Sequence, residues 1–269
     1  MSSRLEVLDA VRQDGFALEY ASKELKNDRE IVCVAVMNEG YALKYAATTL
    51  QNDREIVFAA INQDGHALKY ATTLQNDHEI VLAAVMQNGN ALYFAADELK
   101  NNREIVLAAV NQNGHALGYA LDALKNNREI VLTAVTQNGW ALQYATAELQ
   151  NDRKIVLAAV MQNGCALKYT TAMLQNDCEI VLTAIMQNGG VFAWASKKIH
   201  GDRNIAIAAL RATKENLFIY IPKNLWRDSD FIKEVLTIEH LNTHPKLDKC
   251  KHLPSAIPFA IRDLLYTLI

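Results

Sequence analysis

Apolar positions along the chain fall into two alternating runs. One, I-V-L-A-A-V, is apolar on nearly every side and follows Asn or Asp, Arg and Glu; the other, A-L-x-Y-A-x-x-x-L, follows a glycine. The pair recurs, with Gly15, Gly40, Gly65, Gly89, Gly114, Gly139, Gly164 and Gly189 marking steps of 25 residues and, once, 24. A period of this size marks stacked units, none of which can bury its apolar face alone. The first run opens on an N-cap candidate, carries Glu in its first turn and stops at Gly, which predicts a helix of about ten residues closed by a left-handed glycine. In the second run Ala17, Leu18, Ala21 and Leu25 share one side of a 3.6-residue helix, and Asn27 is expected to close it in a left-handed turn. The first helix has Ile in all eight copies, Ile31 through Ile205, and Ala four residues later in each. It reads as the spine, buried between its partner and both neighbouring units. The same runs could be strands, but the L-x-x-L-x-L-x-x-N frame of leucine-rich repeats is absent and Ala dominates. The pattern therefore predicts an all-α fold, a right-handed α-solenoid of short helix pairs with a 25-residue repeat.

The array is expected over residues 1–228, about eight to nine units, with a capping helix at 4–14 where Glu6 and Asp9 stand in place of apolar residues. The 24-residue unit should shorten a turn near residues 72–75. Towards the end the pattern decays: Lys214 replaces the glycine and Pro222 interrupts the second helix. Residues 229–269 read as non-repeat capping helices, F-I-K-E-V-L-T-I-E-H-L and A-I-R-D-L-L-Y-T-L-I. Leu264, Leu265 and Ile269 there would serve end-to-end dimerisation as easily as capping.

Charge narrows the partners. The chain holds 27 Lys+Arg against 30 Asp+Glu. Residues 1–202 hold 17 basic and 23 acidic side chains, and residues 203–252 hold 9 and 6, so nucleic acid is disfavoured along the repeats. Cys33, Cys165, Cys178 and Cys250 form no C-x-x-C pair, which fits a reducing compartment without disulfides. Neither a secretory h-region nor an apolar stretch of about 18 residues occurs. The expectation is a cytosolic protein without membrane insertion that, if exported, uses no cleaved signal.

Candidate chemistry sits on the second helix, where projection at 100° per residue puts Phe16, Glu19, Tyr20 and Lys23 opposite the buried stripe. The residue after each glycine varies freely: Phe16, Tyr41, His66, Asn90, His115 and Trp140, followed by Cys165 and Gly190. Variation at one place in near-identical units is what a partner-binding surface would show, and also what drift at an unconstrained site would show. Five residues after each glycine the chain is aromatic throughout, Tyr20 to Trp194, a stacking platform or, preferably, a row of rings packed on neighbouring units. Arg29, Arg54, Arg103, Arg128, Arg153 and Arg203 could track phosphates. Acidic neighbours favour ion pairs between units instead. Gln two residues before seven of the glycines reads as a hydrogen-bonding ladder. His240, His244, Cys250 and His252 are the only metal-like cluster, at no ordinary zinc spacing. No catalytic residue, cofactor site or metal site is assigned, because no nucleophile, base and orienting group can be assembled from what repeats.

The unit E-I-V-L-A-A-V-x-Q-N-G-x-A-L-x-Y-A-x-x-E-L-K-N-D-R closely resembles the domain-of-unknown-function 4116 repeat family over about residues 4–210. That resemblance implies multicopy arrays similar to secreted effectors of intracellular bacteria, and with them translocation into a host cell and a host protein as partner. It names no activity. The leading expectation is a non-enzymatic protein–protein interaction scaffold, an effector or an effector's targeting module. The alternative is a nucleic-acid-binding superhelix reading one unit per repeat, and a weaker third is zinc chemistry in the C-terminal segment.

Overall fold

The structure, a computed structural model, describes residues 3–213 and 217–238. It is an all-α solenoid fold, and no strand occurs among the described residues. The chain divides into two compact units, Met1–Thr146 and Ala147–Ile269. In the first, helices α1 (Arg4–Gln13), α2 (Arg29–Asn38), α3 (Arg54–Gln63), α4 (His78–Gln87), α5 (Arg103–Gln112) and α6 (Arg128–Gln137) each pack on the next. The second repeats the arrangement with α7 (Arg153–Gln162), α8 (Cys178–Gln187), α9 (Arg203–Ala212) and α10 (Ser229–Leu236).

These helices start where the sequence places a cap. Asp28 Oδ1 accepts the Glu30 and Ile31 amides at 3.0 and 3.2 Å, and Asn102, Asp152 and Asp177 act alike. Asp228 caps α10 in the same way, with Phe231 where earlier helices hold Ile. At α1, Ser3 and Glu6 make a capping box, and Glu6 and Asp9 lie exposed. A ten-residue helix is marginal alone. Burial holds it: Ile105, Val106, Ala109 and Val110 of α5, with Ala116 and Leu117 beyond, are wholly enclosed. Each large side chain so enclosed contributes about 1.5–3 kcal/mol.

Several expectations are corrected. The first helices are not covered all round, since Met37, Met86, Met161 and Met186 near their C-termini are exposed and Cys33 and Val34 half-exposed. The second helix of each pair is broken. Gly40–Tyr45, like its counterparts from Gly15–Tyr20 to Gly189–Trp194, is a six-residue 3₁₀ helix, ended by extended Ala46 (φ −65°, ψ 157°) before a separate turn, Thr48–Gln51. With three residues per turn, positions three apart eclipse. Phe16 therefore lines up with Glu19, while Tyr20 turns aside and Lys23 lies beyond the break. The missing residue of the 24-residue unit is absorbed where expected, by Ala71 (φ −92°, ψ 61°) and the 3₁₀ turn Thr72–Leu74.

No described residue has positive φ, so neither the glycines nor Asn27 make left-handed turns. The glycines answer to crowding: a Cβ on Gly40 would stand 2.4 Å from the Ala60 carbonyl oxygen, and one on Gly89 2.3 Å from that of Ala109. The 3₁₀ starts at Gly15, Gly40, Gly65, Gly89, Gly114 and Gly164 ride on the backbone of the next unit's helix, and only glycine fits there. Asn27 bridges units instead, its Oδ1 accepting from Thr49 Oγ1 at 2.7 Å, as Asn176 accepts from Ser196. Lys214, the cluster His240, His244, Cys250 and His252, the helix expected at 260–269 and Leu264, Leu265 and Ile269 lie outside the described residues.

Candidate partner-binding surface

The residue before each glycine sets up the surface. Asn88, Asn113 and Asn138 are extended and cap the 3₁₀ helices, their Oδ1 accepting the amides of Asn90, His115 and Trp140 at 3.0 Å. Their side-chain amides reach back one unit. Asn88 Nδ2 lies 3.0 Å from His66 Nδ1, Asn113 Nδ2 donates to Asn90 Oδ1 at 3.0 Å, and Asn138 Nδ2 lies 2.7 Å from His115 Nδ1. In the second unit Asn188 Nδ2 meets Cys165 Sγ at 3.5 Å. One amide thus serves as cap and as rung. Sequence reasoning passed over these asparagines; their recurrence directly before the glycine was the signal.

Earlier in the chain the place is acidic: Asp14, Glu39 and Asp64. Asp14 and Asp64 cap as well as Asn does, accepting the Phe16 and His66 amides at 2.9 Å. A carboxylate has no hydrogen to pass back. Tyr41 instead packs under its neighbours, and burial first, then the charge of Asp64, raises its hydroxyl pKa above the ordinary tyrosine value. His66 Nδ1 stands 3.2 Å from Asp64 Oδ1 as well as facing Asn88. Nδ1 accepts from Asn88 when it carries no hydrogen and donates to Asp64 when it does, so the tautomer selects the partner.

Rings complete the ladder. Tyr41 meets Tyr70, His66 meets Phe94 and His115 meets Tyr144 edge-on, centroids 5.9, 5.9 and 6.0 Å apart. The two columns that the sequence treats separately are therefore one: the ring five after a glycine leans on the residue one after the preceding glycine. Tyr20, the first ring of the row, is 69% exposed. Of the six residues assigned to the surface, Phe16 is exposed, and Tyr41, His66, Asn90, His115 and Trp140 are half-buried.

The opposite edge is ionic. Arg4 pairs with Asp28 at 2.7 Å and Glu30 at 2.5 Å; Arg29 with Asp53 and Glu55; Arg54 with Asp77 and Glu79; Arg103 with Glu129; Arg153 with Asp177 at 2.9 Å and with Glu179. His78, in an arginine's place, lies 3.4 Å from Glu104. Ion pairs between units are thus what the repeated arginines make. The Arg4 and Arg153 guanidiniums hold the Asp28 and Asp177 carboxyls below their ordinary pKa. The glutamine ladder is present too: Gln87 accepts from the Gly65 amide at 2.7 Å and donates to the Gln63 carbonyl at 3.2 Å, and Gln137 donates to the Asn111 carbonyl at 2.9 Å.

Among the described residues, no helix is long and apolar enough to cross a membrane, and no three His, Cys, Asp or Glu side chains stand together to hold a metal. Cys33, Cys165 and Cys178 are free thiols. Neither the curated proteins nor the solved structures yielded a match. One family profile matches seven times, over residues 4–51, 35–75, 53–100, 77–125, 127–175, 152–200 and 177–226. These matches together reach from residue 4 to residue 226, and the chain belongs to the family described as Domain of unknown function (DUF4116).

Proposed function

We propose that the protein is a non-enzymatic scaffold that binds a partner protein along the column Phe16, Tyr41, His66, Asn90, His115 and Trp140. One observation carries the reading: a uniform frame holds a varied, partly exposed side chain along this column, with Tyr41, His66, Asn90 and His115 each braced by a ring or an amide. Bracing lowers the entropy cost of presenting these groups to a partner. Aromatic and imidazole side chains are favoured contacts in such surfaces. Action inside a host cell after translocation is part of the proposal on family resemblance alone. A translocation reporter fused to the chain and delivered by an infecting bacterium tests that part, and no signal in the host cytoplasm removes it.

The binding test is affinity purification from eukaryotic lysate with the native protein and with a variant carrying Ala at 16, 41, 66, 115 and 140, matched for helicity. A host protein held by the native form alone supports the column; equal retention by both forms sinks it. A filter-binding assay at low salt tests nucleic acid, whose phosphates the acidic excess of residues 1–202 repels.

A further inference from the structure

In three units the lysine four after the glycine lays its ammonium over the next tyrosine ring: Lys44 over Tyr45 at 5.2 Å, Lys69 over Tyr70 at 5.6 Å and Lys168 over Tyr169 at 5.9 Å. In the Gly89 and Gly114 units that position is Tyr93 and Gly118. Among the described residues no cation of the chain stands over Tyr93 or Tyr119. The two rings meet edge-on at 5.3 Å and 68°, and they stay 58% and 37% exposed. Leu121, where the other units carry Ala, Ser or Thr, adds a third apolar side chain, 38% exposed.

Exposed carboxylates lie within a few residues of these rings along the chain. Asp97 and Asp122 each follow the unit's ring residue by three positions, and Glu98 is exposed beside Asp97. Lys100 and Lys125 stand 3.5 and 3.6 Å from the two aspartates but are mostly buried, whereas the Asp97 and Asp122 side chains are 78% and 98% exposed. The surface therefore offers π faces and negative charge together. That combination attracts a cation and repels a phosphate.

We propose that Tyr93, Tyr119 and Leu121 form a docking site for an arginine or lysine of the partner protein, set beside an apolar residue. The cation takes the place over the ring that the chain's own lysine takes in its sister units, and the apolar neighbour covers Leu121. This rests on the scaffold reading and names the chemistry of the partner.

The test uses the full chain and two fluorescein-labelled model peptides, Gly-Arg-Leu-Gly-Arg-Leu-Gly and its citrulline counterpart, which keeps the shape of arginine without the charge. Fluorescence anisotropy should show the arginine peptide binding about tenfold more tightly than the citrulline peptide. Tyr119→Leu, Asp122→Asn and Tyr93→Lys should each weaken the arginine peptide severalfold, the last by putting a like charge in place of the ring that meets Tyr119. Thermal midpoints matching the native protein's establish that each variant is folded. Equal binding of the two peptides, no binding of either, undiminished binding by folded Tyr119→Leu, or an oligonucleotide displacing the arginine peptide from native protein would each overturn the proposal. The scaffold reading is judged apart: a host protein still captured through the Gly+1 column while the peptides fail leaves the scaffold standing and removes this site.

Discussion

The two edges of each repeat solve the same problem, joining one unit to the next, by opposite means. At the helix starts the join is ionic, exposed and nearly the same every time: arginine to the capping aspartate and the following glutamate of the next unit. At the glycine edge it is half-buried and mostly uncharged, and its chemistry changes from unit to unit: imidazole, amide, thiol and ring each find a partner against the same asparagine or aromatic frame. A charged join calls for one kind of partner, an opposite charge, although its exposure keeps the cost of losing that partner small. An amide that both donates and accepts tolerates much, since Asn can serve an acceptor of almost any kind. Variety gathers where the frame permits it, which is why the proposed binding column lies on the glycine edge.

The comparison breaks most sharply at the glycine itself. Gly89→Ala should cost about 3 kcal/mol or more in urea unfolding, because its Cβ would meet a backbone carbonyl at 2.3 Å that no side-chain movement relieves. Next comes the double role of asparagine: Asn138→Ala, losing cap and rung, should cost about 1–2 kcal/mol, and Asn138→Asp, which keeps the cap, roughly half as much. If Asn138→Asp costs nothing, the back-reaching amide contributes nothing; if the two variants cost the same, the cap does not. Gly201→Ala serves as the control, since its Cβ finds nothing nearer than 3.4 Å and φ is −83°; a gain of about 0.5 kcal/mol is expected.

The ionic edge should give the smallest effect, visible mainly in its pH dependence. Asp28 and Asp177 titrate below the unfolded value of about 3.9. Their contribution is therefore present above that value and is lost as pH falls through the lower folded one. Arg153→Gln should lower the thermal midpoint slightly at pH 7 and flatten its fall between pH 5 and pH 2, an acid range set by about 3.9 as its upper reference, so that variant and native protein converge in acid. An unchanged acid slope would mean that the Arg153–Asp177 rung does not couple to folding.

Much of this was legible before any coordinates. The period, the Ile and Ala core positions, the caps and the arginine pairs all follow from residues whose roles have one physical explanation. The second helix was not, because Ala17, Leu18, Ala21 and Leu25 satisfy a 3.6-residue period while the chain breaks at Ala21, and nothing in the A-L-x-Y-A run marks the break. Glycine misled for a related reason: positive φ and backbone contact both demand it, and only Ala60 or Ala109 across the gap shows which. The pairing of His66 with Asn88, or of Tyr41 with Tyr70, depends on how far one unit is offset from the next, which no periodicity within a unit can reveal.

The arginine ladder also has a direction. Arg4, Arg29, Arg54 and Arg153 reach forward, to a cap 23 or 24 residues later, as Arg29 reaches Asp53 and Arg153 reaches Asp177. A chain leaving the ribosome N-terminus first has therefore already made each arginine when the aspartate it serves appears. Synthesis supplies the docking half before the half that docks, and an unfinished chain ends in a spare cation instead of an uncompensated cap.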